Sequence, residues 1–475
     1  MGLTRRDFFT LGLGAAVAVP LTPMPWKLID DSAKWSQNWS WIPRPPSGPR
    51  TVRKTICTLC PAGCGMDVRC VGQNLVGISP TAGHPVSRGV LCPYAFGAHQ
   101  LPFHPARLLT TLRKGTPVPL EQAQAEIAAR IRRGVFGIVD ERPGRAVSAA
   151  YQRLVAARGG LYGTAPRAES STLARIAAGS GLDVSDLGLA LENVRTLVSF
   201  GAPVLESWAT PGRVLTLWRE KRLDIVQVEP EMSKTAALAS VWVQNRANAQ
   251  SAIDAAKSRG PILAISDGSL PDSEEQAIAD LNRRSSGIVR RPATRLIPST
   301  CLAAVPNGSL DVLFVDHGPL GGSVAYDALR SKLRDGGILV SLSPYRAGVA
   351  ALADYVIPAP AFTECIDEAP TPWDAVKPSY SVAPALSAPP IGTVHPLSFV
   401  ASALGTTASP EAIIRARVDE LFASKSSEEM WKAMLCGHCW IDDKGTTPVE
   451  WQPAHVPQAW HSRRPAIAPP LLGKA

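Results

Sequence analysis

The sequence contains no run of 18 or more apolar residues, so nothing in it reads as an obvious membrane-spanning helix. It has no G-x-G-x-x-G fingerprint and no Walker loop, and neither a nicotinamide nor an ATP site is indicated. There is no dense Lys/Arg cluster and no nucleic-acid-binding motif. The formal net charge of +9 therefore reads as a solvated basic surface. Near the C-terminus, "LCGHCW" sets Cys436 and Cys439 as C-x-x-C. No His follows Cys439, which excludes c-type haem attachment, and no thioredoxin-like surround accompanies the pair. A disulfide is the simplest expectation for it.

What is present bounds the rest. A length of 475 residues allows two or three domains, and 45% hydrophobic against 19% charged residues is enough to bury a core. Proline is abundant, at 43 residues, and concentrates in residues 20–50, 358–400 and 452–470, which read as extended connectors or docking arms. The chain opens "LTRRDFFTLGLGAAVAVP". Adjacent Arg5 and Arg6, then Phe8 and Phe9, then an apolar run from Leu11 to Val19 give the layout of a twin-arginine export signal. A cleavage site at Ala16–Ala18 lies very early, and the segment could instead persist as an anchor. Behind it, Trp26, Trp35, Trp39 and Trp41 sit on a Pro-rich arm. Such rings need a surface to bury against, either this protein's own body or a partner.

From about residue 121 short β-branched runs alternate with helical stretches. "LEQAQAEIAARIRR" carries apolar positions at helical spacing. "RTLVSF" (195–200), "DIVQVE" (224–229), "PILAIS" (261–266), "DVLFVD" (311–316) and "GILVSL" (337–342) read as buried parallel strands. Helices are expected at 208–221, 250–258, 272–284 and 324–334. This alternation argues for an α/β doubly wound sheet, with ligands at the carboxyl ends of its strands. "SPEAIIRARVDELFAS" is a further helix with Ser409 as N-cap ahead of Pro410. The last 40 residues are expected to wrap over the surface.

The nine cysteines fall at 57, 60, 64, 70, 92, 301, 365, 436 and 439. Three accounts compete for the first group. Export permits disulfides. Structural zinc usually takes two separated pairs of ligands. A cubane takes three thiolates from one tight loop and one from afar. Cys57, Cys60, Cys64 and Cys92 follow C-x2-C-x3-C-x27-C, which matches the third and favours a [4Fe–4S] cluster. Gly63 and Gly65 let backbone N–H groups approach the sulfides, and Arg53, Lys54, Arg69 and Arg88 could add positive potential. Cys70, Cys301 and Cys365 read as core residues.

These features together resemble the molybdopterin oxidoreductase family, the dimethyl sulfoxide reductase superfamily. Beyond the cysteine module with its "RGVLC", the stretches "LENVRTLVSFGAPVLESW" (191–208), "DIVQVEPEMSKTAALASVWV" (224–243) and "SLSPYRAGVAALADYVIPAPAFTE" (341–364) are similar to family segments. The resemblance covers roughly residues 50–400. It implies an α/β fold in which a small [4Fe–4S] module precedes a shortened, doubly wound, pterin-enzyme-like domain. The corresponding boundaries are a signal at 1–25, a Trp/Pro arm at 26–50, the module at 51–112, the degenerate domain at 113–400, and a helix plus Pro-rich tail at 401–475. Within the family the chain looks most like subunits of membrane-associated respiratory quinone oxidoreductase complexes. That likeness implies a periplasmic electron-transfer and scaffold subunit. Its partners would be a multihaem cytochrome c, a ferredoxin-like iron–sulfur subunit and an NrfD-type membrane subunit that binds quinone.

Departures from the family matter equally. Where active members carry Lys or Arg two residues after the fourth cysteine, this chain has Tyr94. "NRANAQ" (245–250) replaces the turn that contacts the guanosine phosphate. The C-terminal pterin-covering barrel has no counterpart, and no Cys stands as a molybdenum ligand. Ser170 and Ser171 are in the region, but nothing singles them out. A polyanionic pterin needs several phosphate-contacting turns at once, so the sequence argues against molybdopterin and assigns no catalytic residue.

Overall fold

The computed structural model describes residues 4–21, 26–29, 47–164, 171–283, 285–292, 300–319, 324–422, 426–442 and 447–448. The chain divides into two units, Met1–Arg50 and Thr51–Ala475. In the first, the segment expected from the sequence to be an export signal is a helix, Arg5–Leu21. The Thr4 side chain receives the Asp7 N–H at 3.3 Å, and Asp7 in turn receives the Thr4 N–H at 2.9 Å, a reciprocal cap. Phe8 and Phe9 are exposed. No helix among the described residues is long and apolar enough to cross a membrane. Trp35, Trp39 and Trp41 lie outside the described residues.

The second unit is α/β, and among the described residues two largely parallel sheets dominate it, beside three sheets of three strands each. The smaller holds Val241–Val243, Asp224–Val228, Thr196–Phe200 and Ile262–Ser266 in that order. Its strands bury both faces. Leu197, Ile225 and Leu263 pack beside Trp208 and Leu217, while Val198, Val226 and Ala264 pack with Ile253 and Ile278. That two-sided burial is why these runs are continuously apolar rather than alternating.

The larger sheet has parallel strands Leu161–Thr164, Phe136–Asp140, Leu310–Asp316, Leu333–Ser343 and Tyr355–Pro358 as neighbours. Thr300–Cys301 pairs at one edge, and an antiparallel hairpin of Leu112–Arg113 and Thr116–Pro117 at the other. Ile127, Tyr151, Phe314 and Phe399 fill one face; Val139, Leu313, Val315 and Leu339 fill the other. Chain order reverses between Phe136–Asp140 and Leu310–Asp316, because their successors run off to opposite edges. In open α/β sheets the crevice at such a reversal is the usual ligand position.

The five expected strands all form, but they do not share one sheet: three belong to the smaller and two to the larger. The helix expected over 324–334 is only Tyr326–Arg330, because the chain has turned into the strand Leu333–Ser343 by then. The helix Pro410–Leu421 carries its expected cap, with the Ser409 side chain accepting the Ala412 N–H at 3.3 Å. Of the last 40 residues, 443–446 and 449–475 lie outside the described set.

Candidate iron–sulfur centre

The cysteine module is a three-stranded sheet, Arg50–Ile56, Gly65–Val71 and Asn74–Pro80, followed by the short helix Pro93–Gly97. Cys57 leaves the first strand and Cys64 enters the second. The loop between them closes on itself, with the Cys57 N–H donating to the Cys64 carbonyl at 2.7 Å. Gly63 turns the chain at φ +60°, a left-handed conformation that disfavours any side chain. Cys57 and Cys64 are buried; Cys60 and Cys92 are half-buried. All four join one apolar cluster with Leu59, Met66, Val68, Leu91 and Phe362. Cys92 arrives from the far side, at the residue before the helix, and its carbonyl accepts the Ala95 N–H at 3.1 Å.

Electrostatics report the same convergence. Burial pushes the Cys57 thiol well above its ordinary range, and the proximity of Cys60 and Cys92 pushes it further. Burial does the same to Cys64, with Cys60, Cys57 and Cys92 adding to it. Cys60 and Cys92 thus lie close to both buried thiols, and the four face a common space. Among the described residues, no group of three or more His, Cys, Asp or Glu is set to hold a single metal ion. A cubane has a different requirement. Each thiolate meets its own iron at a separate corner, so the sulfurs stand further apart than around one ion. The donor chemistry fits such a cluster, since cationic iron makes thiolates favourable where burial alone opposes them.

The loop is braced from behind. His84 is buried, and its ring covers Gly65 so closely that a Cβ there would lie 2.4 Å from it. The Gly65 N–H donates to Ser87 Oγ at 3.3 Å, and the Ser87 N–H donates to His84 Nδ1 at 3.3 Å. Burial, with His438 nearby, lowers the His84 pKa to about 4, so this brace is neutral at physiological pH. Arg88 then reaches Glu192 at 2.6 Å, and Glu192 also pairs with Arg213, which joins the module to the body of the unit.

Tyr94 is 59% exposed on the helix after Cys92. Within residues 245–250 a small 3-10 turn, Arg246–Asn248, is capped by Asn245 accepting the Ala247 N–H at 3.0 Å and leads into the helix Ala249–Arg259. Ser171 donates to Glu275 at 3.4 Å, and Ser170 lies outside the described residues. Cys70 is buried, whereas Cys365 is half-buried and its thiol is raised to about 12 by burial, then by the charge of Asp367. The disulfide expected between Cys436 and Cys439 is not formed: both are free thiols. Cys436 caps the helix Ser427–Leu435 at the surface, while Cys439 begins a strand opposite Ser381, beyond a left-handed Gly437 at φ +84°. The helix ends in a Schellman turn, with the His438 N–H on Ala433 at 3.1 Å and the Gly437 N–H on Met434 at 2.9 Å.

One group of residues had not been singled out in the sequence. In the larger sheet Asp140 and Asp316 are the last residues of neighbouring parallel strands and stand in register. Arg145 reaches both, at 3.0 Å and 2.9 Å. Arg142 holds Asp367 at 2.6 Å, and Glu368 accepts the Ala146 and Val147 N–H groups at 2.9 Å each. Beside them Glu141 meets His317 at 3.3 Å. A cavity of about 40 Å³ separates this cluster from Thr58 of the cysteine loop. The available signal was an Asp closing each of two apolar runs, at the strand ends where ligands collect.

Residues 50–95 match the family described as the molybdopterin oxidoreductase Fe4S4 domain. The module is therefore a [4Fe–4S] domain of the molybdopterin oxidoreductase type. Among curated proteins the chain is similar to the menaquinone reductase molybdopterin-binding-like subunit of Nitratidesulfovibrio vulgaris, with 27% identity over 291 residues. That match takes in 57% of this chain and 42% of the relative, so it spans less than half of the relative's length. Among solved structures it is similar to acetylene hydratase from Pelobacter acetylenicus, with a TM-score of 0.59 and 13% identity over 82% of this chain and 74% of that one. At that identity the likeness establishes the fold alone.

Proposed function

We propose that the protein is an exported electron-transfer and scaffold subunit of a membrane-associated respiratory quinone oxidoreductase complex of the menaquinone-reductase type. Its single cofactor is a [4Fe–4S] cluster held by Cys57, Cys60, Cys64 and Cys92. The observation that carries this reading is the convergence of those thiols on one apolar cluster of a matched Fe4S4 domain. When bound, the cluster supplies one-electron transfer. The chain's own residues exclude water from it through Leu59, Leu91 and Phe362, and hold the loop through Gly65, His84 and Ser87. The twin-arginine segment, Arg5 and Arg6, directs the folded protein to the periplasmic face. The domain boundaries read from the sequence belong to the same proposal. So do the partners: a multihaem cytochrome c, a ferredoxin-like iron–sulfur subunit and an NrfD-type quinone-binding membrane subunit.

A pterin is not part of this reading. Pockets for large ligands run to roughly 300–1,000 Å³. The cavity beside the cysteine loop holds about 40 Å³, and the Arg142–Asp367 and Arg145–Asp316 pairs line or border it. The small space between these ion pairs supports leaving molybdopterin out of the reading, and no step is assigned to one. Anaerobic purification of the whole chain, followed by metal analysis and paramagnetic resonance, tests the proposal. About four irons per chain, no molybdenum and a reducible cluster signal are expected. Iron-free, colourless protein overturns the reading. Molybdenum with a pterin would make the chain a short molybdenum oxidoreductase instead.

A further inference from the structure

The strand-end cluster has a charge imbalance. Two guanidinium groups, Arg142 and Arg145, face four carboxyls, Asp140, Asp316, Asp367 and Glu368. With every group ionised, two negative charges are left over in a space almost without solvent. Asp140 is 0% exposed, and Asp316 and Glu368 are 2% exposed. Against burial, Arg145 holds the Asp140 carboxyl below the usual range and Arg142 holds Asp367 below it, whereas burial raises Glu368 despite its hydrogen bonds. Asp140 accepts from Ser148, Tyr162 and Arg145. Asp367 has Arg142, and Glu368 has two backbone N–H groups at the start of the helix Ala146–Ala156 plus the Tyr380 hydroxyl at 2.5 Å. Asp316 accepts from Arg145 and from the Tyr151 hydroxyl at 3.2 Å, with Asp140 directly opposite it.

Asp316 also lines the cavity of about 40 Å³, together with Thr58, which stands between Cys57 and Cys60. A second cavity, of about 20 Å³, sets Cys60 and Pro61 against Arg142 and Arg145. The first has unmet hydrogen-bonding atoms around it: Arg142 Nε, His317 Nε2 and Thr363 Oγ1 are buried with no protein partner. At ~15 Å³ each, two or three waters would fill it.

We propose that Asp316 is a proton-accepting site coupled to the iron–sulfur cluster. Addition to the cluster of one electron from a one-electron reductant would be accompanied by transfer of one proton from hydronium or buffer acid in bulk solvent to the Asp316 carboxylate. The added charges cancel. The proposal rests on the assignment of the four cysteines above. Its driving force is the Coulomb cost of placing a further negative charge beside a buried excess of carboxylates. The groups facing Asp316 support it. Burial, with the charge of Asp140, holds its carboxyl above the usual range against Arg145 and Arg142. Cys365 and Asp367 approach from the segment before the strand Ser379–Ala383. His395 precedes the helix Pro396–Ala403, and burial lowers its pKa to about 3, so it stays neutral. His317 is engaged with Glu141.

Redox titration of the whole chain from about pH 5 to about pH 9 tests this, following the cluster signal with dithionite as reductant. The expected midpoint falls as pH rises, by up to about 59 mV per unit, the one-electron equivalent of a tenfold change per unit. Asp316→Asn should keep its iron and lose the slope. In weakly buffered solution, wild-type protein should take up close to one proton per electron, a readout that needs no folded variant. A wild-type midpoint independent of pH, or a slope that survives in Asp316→Asn, overturns the proposal. Protein without iron overturns the cysteine assignment instead, so the two failures are distinguishable.

Discussion

The cysteine loop and the strand-end ion cluster are both buried and both converge several ionisable side chains on one small space, yet they are built in opposite ways. The loop draws three of its four thiols from eight consecutive residues, closed by one backbone hydrogen bond between Cys57 and Cys64. The ion cluster draws Asp140, Arg145, Asp316 and Asp367 from three segments spread over more than 200 residues, and only the parallel register of two strands makes neighbours of the two aspartates. Local spacing specifies the first; topology specifies the second. The first is short of positive charge until iron arrives. The second already contains its cations but not enough of them.

Two substitutions probe that contrast at its strongest. Cys64→Ser replaces a buried thiol by a poorer iron ligand, and the other three thiols lie on the same loop or face it. The expected outcome is loss of the cubane, with iron falling from about four per chain to below one and the cluster absorption gone. Iron content and the visible spectrum check it. Full retention of iron would mean that Cys64 is not a ligand. Arg145→Met removes the cation shared by Asp140 and Asp316 and leaves two buried carboxyls facing each other. Breaking a buried pair from one side costs about 3–5 kcal/mol. Urea unfolding should show a loss of that order. A loss below about 1 kcal/mol would mean that the carboxyls hold protons and need no cation.

The same contrast explains what the sequence disclosed. Spacing is a local property, so C-x2-C-x3-C-x27-C could be read directly, and the apolar runs 195–200, 224–229 and 261–266 could be read as parallel strands because both their faces are buried. Which strands share a sheet is not local. Nothing in "DVLFVD" says that it lies beside Phe136–Asp140 rather than beside Thr196–Phe200, and so the pairing of Asp140 with Asp316 was not foreseen. Cys436 and Cys439 show the opposite error. Their spacing suited a disulfide, but a helix end and a strand start separate the two side chains.

Gly65→Ala tests whether the loop depends on its brace. A Cβ at residue 65 would meet the buried His84 ring at 2.4 Å, and the ring is held by the Ser87 N–H on one side. Relief requires the ring or the strand to shift, and overpacking of this kind costs about 1–3 kcal/mol. The variant should keep its iron while its midpoint potential and thermal unfolding both move. Pairing it with His84→Ala should restore part of the stability, because the clash is removed with the ring. If Gly65→Ala is silent in both measurements, the brace has no influence on the cluster.

The smallest expected effect lies at the joint between the cysteine module and the body of the unit. Glu192 takes Arg88 from the module at 2.6 Å and Arg213 from the helix Pro211–Arg219. Burial alone would raise its pKa, but Arg213 and then Arg88 outweigh it and bring the carboxyl down to about 2. A carboxyl lowered on folding contributes stability that is complete above its unfolded pKa near 4.5 and fades as pH falls through the folded value. Glu192 retains some solvent contact, so screening reduces the contribution to about 1 kcal/mol. Glu192→Gln should therefore be less stable than wild type at neutral pH, and the difference should shrink as pH falls from about 4.5 toward about 2. A difference that stays constant across that range would assign the effect to packing. The charge of Glu192 would then contribute nothing to holding the cysteine module against the body of the unit.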